Sequence, residues 1–143
     1  MYIDPLKRRA EWEGMVAFVN KKRSVIFSNL VAKADKFVQF LPWGSDFEHD
    51  VFTRPDYTSL DVMTFAGSGT PLGINIPNFD DIRENIGFKN VYLGNVMPAP
   101  KAGEVKFLGE VEKELLTEHF SDIMLVKVAL HELLGHGTGK EFK

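Results

Sequence analysis

The chain has 143 residues, the size of one ordinary domain, of which 44% are hydrophobic and 26% charged, with a net charge of −3. These proportions exclude a disordered or fibrous chain, and the missing basic excess argues against a nucleic-acid partner. Cysteine is absent, so disulfides and thiolate ligands are excluded and any metal must be held by His, Asp or Glu.

Asp4-Pro5 reads as a helix start, because Asp caps free backbone N–H groups and Pro suits the first helical position. Behind it Trp12, Met15, Val19, Ile26, Leu30, Ala34, Phe37 and Leu41 recur at helical spacings, which predicts a long amphipathic helix ended by Pro42. Its length predicts a break near Gly14 or Asn20. The basic run Lys21-Lys22-Arg23 is read as a solvated helix face. Residues 43–59 are expected to form a loop, followed by strands over 60–65 and 72–76 around the Gly67-Ser68-Gly69-Thr70-Pro71 turn. Further strands are expected over 88–96 and 106–108, with a helical turn or two over 110–118. Ser121 is the expected N-cap of a last, largely apolar helix, buried on most sides and stopped by Gly137-Thr138-Gly139. Its stretch 123–130 is interrupted by Lys127 and is too short to cross a bilayer. No signal-peptide pattern opens the sequence, and a cytoplasmic setting is expected. The fold class is α+β.

The chemistry lies in His131-Glu132-Leu133-Leu134-Gly135-His136. Zinc peptidases commonly carry two His four residues apart on a helix, with Glu after the first. Both imidazoles then face the metal, and the carboxylate reaches the water it activates. Here the spacing is five. At about 100° per residue, that separates the two side chains by roughly 140° on a regular helix. Two such imidazoles cannot share one ion. A one-residue π-bulge around residues 133–135 would return His136 to the face of His131, and Gly135 is the expected place for it. The bland alternative is two unrelated histidines near a helix end. Neither His49 nor His119 has ligand-like spacing, and both are read as surface residues.

The hexapeptide 131–136, continued by Gly137-Thr138-Gly139-Lys140, resembles the signature of the dipeptidyl peptidase III family of zinc peptidases. Thr58-Ser59-Leu60-Asp61-Val62, Phe65-Ala66-Gly67-Ser68-Gly69, Gly73-Ile74-Asn75-Ile76-Pro77-Asn78 and Gly87-Phe88-Lys89-Asn90 resemble family segments in the same order. The resemblance implies a cytosolic zinc exopeptidase that removes dipeptides from the N-termini of short peptides. It implies His131 and His136 as zinc ligands and Glu132 as general base. Tyr2 is implied as a donor to the carbonyl oxygen, and Asn75 and Asn78 as holders of the substrate's amino end. On this reading Gly73 belongs to a strand that pairs with the bound peptide.

In the family the third ligand is a glutamate in a later motif, and an acidic residue precedes the tyrosine matching Tyr2. Neither is found here, and Glu141 is a poor substitute. The chain is therefore expected to be one segment, 1–143, of a larger two-lobed enzyme, truncated at both ends. Weak zinc affinity, no activity alone and exposed apolar surface prone to self-association follow. The expected partners are short peptides and the rest of the parent enzyme, with no nucleic acid and no membrane. A metal-free peptide-binding module or interaction subdomain is the alternative.

Overall fold

A computed structural model describes residues 2–3, 6–8, 10–77, 79–97 and 105–140. The fold is α+β. A two-stranded antiparallel sheet pairs β1 (Tyr2–Ile3) with β2 (Ala10–Glu11). A four-stranded sheet contains β3 (Gly14–Val19), β4 (Asp56–Ala66), β5 (Gly73–Ile76) and β6 (Lys89–Leu93), in the order β3-β4-β6-β5. Pairing is antiparallel except between β4 and β6. The helices are α1 (Lys21–Ala32), α2 (Ala34–Val38), α3 (Asp80–Asn85) and α4 (Glu110–Leu130).

The long N-terminal helix is corrected. Met15, Val16, Phe18 and Val19 lie in β3, and the helix begins only at Lys21. Asn20 makes the change of state, since its side chain accepts from Arg23 N at 3.1 Å and caps α1. The same side chain donates to Asp61 Oδ2 at 3.0 Å, and Arg23 Nη1 reaches Asp61 Oδ1 at 2.9 Å. Asn20 N bonds to Ser59 O, and Ser59 N to Ser24 Oγ. These bonds stitch the start of α1 to β4. The β-branched and aromatic content of residues 15–19 favours a pleated strand, and β4 supplies the partner that sequence spacing cannot reveal.

Other expectations change as well. Asp56 to Ser59 belong to β4, so the loop after residue 43 is shorter than expected, and it contains a 3-10 turn at Ser45–Phe47. Residues 106–108 form no strand, and α3 was not foreseen. Residues 110–118 and the last helix are one helix, α4, with Gly109 rather than Ser121 at its N-cap. Nor is α4 buried on most sides: Val111, Leu115, Ile123 and Val126 are exposed, and only Val128 and Ala129 are buried. Only its last turns meet the sheet.

There the core forms. Phe27 and Ala34 from the first two helices, Tyr57 from β4, Tyr92 from β6, and Val128, Ala129 and Leu133 share one cluster. Phe27 stacks on Tyr57 with centroids 4.5 Å apart and meets Tyr92 edge-on at 5.5 Å. This aromatic seat fixes the C-terminal end of α4 over β5 and β6.

Candidate metal centre

Residues His131–Gly135 form a π-helical turn that continues α4. Widening the turn to i→i+5 bonding brings a side chain five positions on back towards the face of the first. The His131 and His136 rings accordingly lie 5.0 Å apart and nearly perpendicular, at 88°. One ligand atom from each of His131, Glu132 and His136 falls within 4.8 Å of the others. Among the described residues these three form the group that could hold a metal ion.

The glycine at 135 is not what permits the turn. It has no positive φ, and a Cβ there would meet nothing nearer than His131 Nδ1 at 3.7 Å. Gly137 is the sterically required one, since a Cβ would collide with Leu133 O and press on Phe52 and Phe88. Gly139 then leaves with φ +88°, a left-handed exit that glycine adopts freely.

Glu132 is buried at 5% exposure, with its Oε2 3.9 Å from His136 Nε2. That oxygen has no hydrogen-bond partner among the described residues. Burial raises the carboxyl above its ordinary value, and His131 offsets only part of this. Burial also lowers His136, aided by His131 and Arg83, which favours the neutral imidazole that a metal requires. An orphaned buried carboxylate oxygen beside two convergent imidazoles fits a divalent cation. Tyr57 underlies the group. Burial, then the charge of Glu132, pushes its hydroxyl far up, so it stays a donor, 3.4 Å from Val128 O.

Gly73 lies directly against Glu132, where a side chain would strike the carboxylate. It opens β5, which among the described residues is an edge strand of the sheet with β6 on one side only. Asn75, in the same strand, is buried rather than on an exposed face. Its Nδ2 donates to Asn90 Oδ1 at 2.6 Å, while its Oδ1 has no partner among the described residues. Tyr2 sits in β1, opposite Glu11, in the separate two-stranded sheet. The Tyr2 side chain, Asn78 and Glu141 lie outside what is described.

His136 also opens onto a cleft of about 510 Å³ lined by His49, Thr53, Arg83, Phe88 and Lys140. Sequence spacing gave no sign of these residues. The Arg83 guanidinium lies 5.1 Å over the Phe88 ring. His49, expected on the surface, is half-buried and faces this cleft, whereas His119 is exposed beside Glu118.

The sequence model of Peptidase family M49 matches residues 1–143. Dipeptidyl peptidase 3 of Mus musculus is 54% identical over 144 residues, covering 99% of this chain and 20% of that protein. The proteins of the same name from Nematostella vectensis and Dictyostelium discoideum are 52% and 48% identical, with the same coverage of each. The chain thus spans about a fifth of the length of the curated relatives it matches. The solved structure of DPP III from Caldithrix abyssi superposes with a TM-score of 0.65 at 23% identity. That match covers 85% of this chain and 25% of the other, and it shows a shared fold.

Proposed function

The chain belongs to peptidase family M49, and from that premise we propose that it carries the zinc ligands and general base of an exopeptidase releasing dipeptides from peptide N-termini. One observation carries the reading: two histidines five residues apart are turned to within 5.0 Å, with Glu132 buried between them. A regular helix would have parted them.

His131 and His136 would hold the zinc ion, which when bound supplies Lewis-acid activation of a peptide carbonyl and of water. Glu132 takes a proton from the attacking water at its carboxylate and passes it to the leaving amine. Burial raises its basicity above that of an exposed carboxylate, the direction a general base requires. The Tyr2 hydroxyl donates to the carbonyl oxygen as negative charge develops there. The peptide adds to the open edge of β5, where Gly73 leaves room beside Glu132. Asn75 and Asn78 hold the amino end, and that fixed distance to the scissile bond sets the length removed.

Catalytic zinc normally takes three protein ligands. His131 and His136 give two, and we assign the third, a glutamate, to the part of a longer family protein outside these 143 residues. The chain alone then binds zinc weakly and is inactive, and the complete enzyme works in the cytoplasm.

Zinc titration and dipeptide-release kinetics test this, comparing the chain with a full-length family protein that carries it. The long form is expected to hold one zinc and to lose about 10²-fold or more in rate on Glu132→Gln, with the metal retained. Full rate in that variant would remove the general-base assignment. A long form that binds peptides without zinc would instead favour a metal-free module using the open edge of β5.

A further inference from the structure

The π-turn must be held open. In a regular helix His136 would sit roughly 140° away from His131, and α-helical bonding competes at every residue of the turn. Rewinding to that form would move all residues beyond it by about 1.5 Å along the axis and 100° around it. A contact that pins the chain just after His136 therefore selects the widened register.

Such a contact exists at Glu48, distant in sequence. Its Oε1 accepts from Gly139 N at 2.9 Å and from His49 N at 2.9 Å, while Oε2 accepts from Trp43 Nε1 at 2.8 Å. The next residue adds a second backbone tie, Lys140 N to Phe47 O at 2.9 Å. Lys140 Nζ lies 3.4 Å from Asp50 Oδ1 and 3.4 Å from Ser45 O. The Gly139 N–H is free to point at Glu48 because Gly139 has left the helix at φ +88°. Both Glu48 oxygens are occupied by donors, so the carboxylate is held rigidly between the 43–50 segment and the glycine exit. A displacement of the size that rewinding demands would break the Gly139 bond.

We infer that Glu48 is a positioning residue of the metal centre: by clamping Gly139 to the 43–50 segment it holds the π-turn open and keeps His136 turned toward His131. Its consequence for zinc rests on the peptidase reading, whereas the clamp itself does not.

The test uses the chain in solution. In the metal-free protein the expected signals are a nuclear Overhauser contact between the two imidazoles and slow amide exchange at Gly139. Glu48→Ala should abolish the first and speed the second at least tenfold. Glu48→Gln should preserve both, because its carboxamide oxygen still accepts from Gly139, and so should Trp43→Phe. Zinc affinity, read by chelator competition, should fall roughly 10–100-fold in Glu48→Ala and little in the other two. Should the alanine variant fail to fold, Glu48→Met carries the comparison, keeping side-chain length without the acceptors. A folded Ala or Met variant with the ring contact and Gly139 protection intact would overturn the clamp. Wild-type chain showing both signals but no zinc affinity, alone or in the long form, would leave the clamp standing and remove the zinc reading.

Discussion

Gly73 and Glu132 share one small volume at the start of β5, and the absence of a side chain is what lets the carboxylate lie against the strand. A Cβ at Gly73 would fall 2.8 Å from Glu132 Cδ and 3.0 Å from its Cγ, besides striking Oε1. The carboxylate cannot simply swing into water, since Glu132 is 5% exposed. Gly73→Ala therefore displaces the proposed base while both histidines stay on their turn. In a full-length family protein the expected result is a fall in kcat of about tenfold or more with zinc affinity unchanged. Loss of zinc along with rate would mean that Glu132 is a ligand rather than a base. Asn75 and Asn90, buried opposite each other on β5 and β6, show why the strand could be read from sequence but not its depth. An asparagine within a strand gives no sequence signal of which amide will partner it across the ladder.

The elements were legible where local chemistry decided them. The five-residue histidine spacing demanded a widened turn, and the π-turn at His131–Gly135 supplies it. The strands around Gly73 and Lys89 followed from their flanking turns. Residues 14–19 were not legible as a strand, because Trp12, Met15 and Val19 fall at helical spacings by coincidence, and β4 pairs with them from far along the chain. The 43–50 segment had no periodicity at all, and its role comes from Glu48 reaching Gly139. Burial alone would raise the Glu48 carboxyl, but the bonds from Gly139, Trp43 and His49 outweigh it and hold it below the ordinary 4.5. A depressed carboxylate stabilises the fold above its unfolded value, and that contribution is lost as pH falls through the folded one. The Trp43 indole N–H resonance should therefore titrate with a midpoint below 4.5 in wild type and lose that transition in Glu48→Gln. A midpoint at or above the ordinary value would show that the clamp is not made in solution.

At the scale of the whole molecule, one small core carries elements with much apolar surface left over. Phe27 is fully buried between Tyr57 and Tyr92, so Phe27→Ala should cost about 3–5 kcal/mol, read from denaturant melts. Away from that core the balance reverses. On β3, Val16, Phe18 and Val19 are 58%, 65% and 56% exposed, and Trp12 just before them is 72% exposed. Among the described residues β3 is the other edge of the sheet, pairing with β4 alone, and an apolar sheet edge is a template for pairing with another chain. Val111, Leu115 and Val126 on α4 add a second apolar surface. Surface of this kind is normally covered, and the curated relatives are about five times longer than this chain. The 143 residues in isolation should therefore self-associate, with a weight-average mass in sedimentation equilibrium that rises with concentration. A single charge on the β3 edge, Val16→Lys, should lower that association while leaving the melting temperature nearly unchanged, because Val16 contributes little to the core. If the wild-type chain sediments as a monomer at every concentration, the edge is protected in solution and the apolar surface does not drive assembly. If Val16→Lys associates as strongly as wild type, the contact lies elsewhere, with the α4 surface next to be charged.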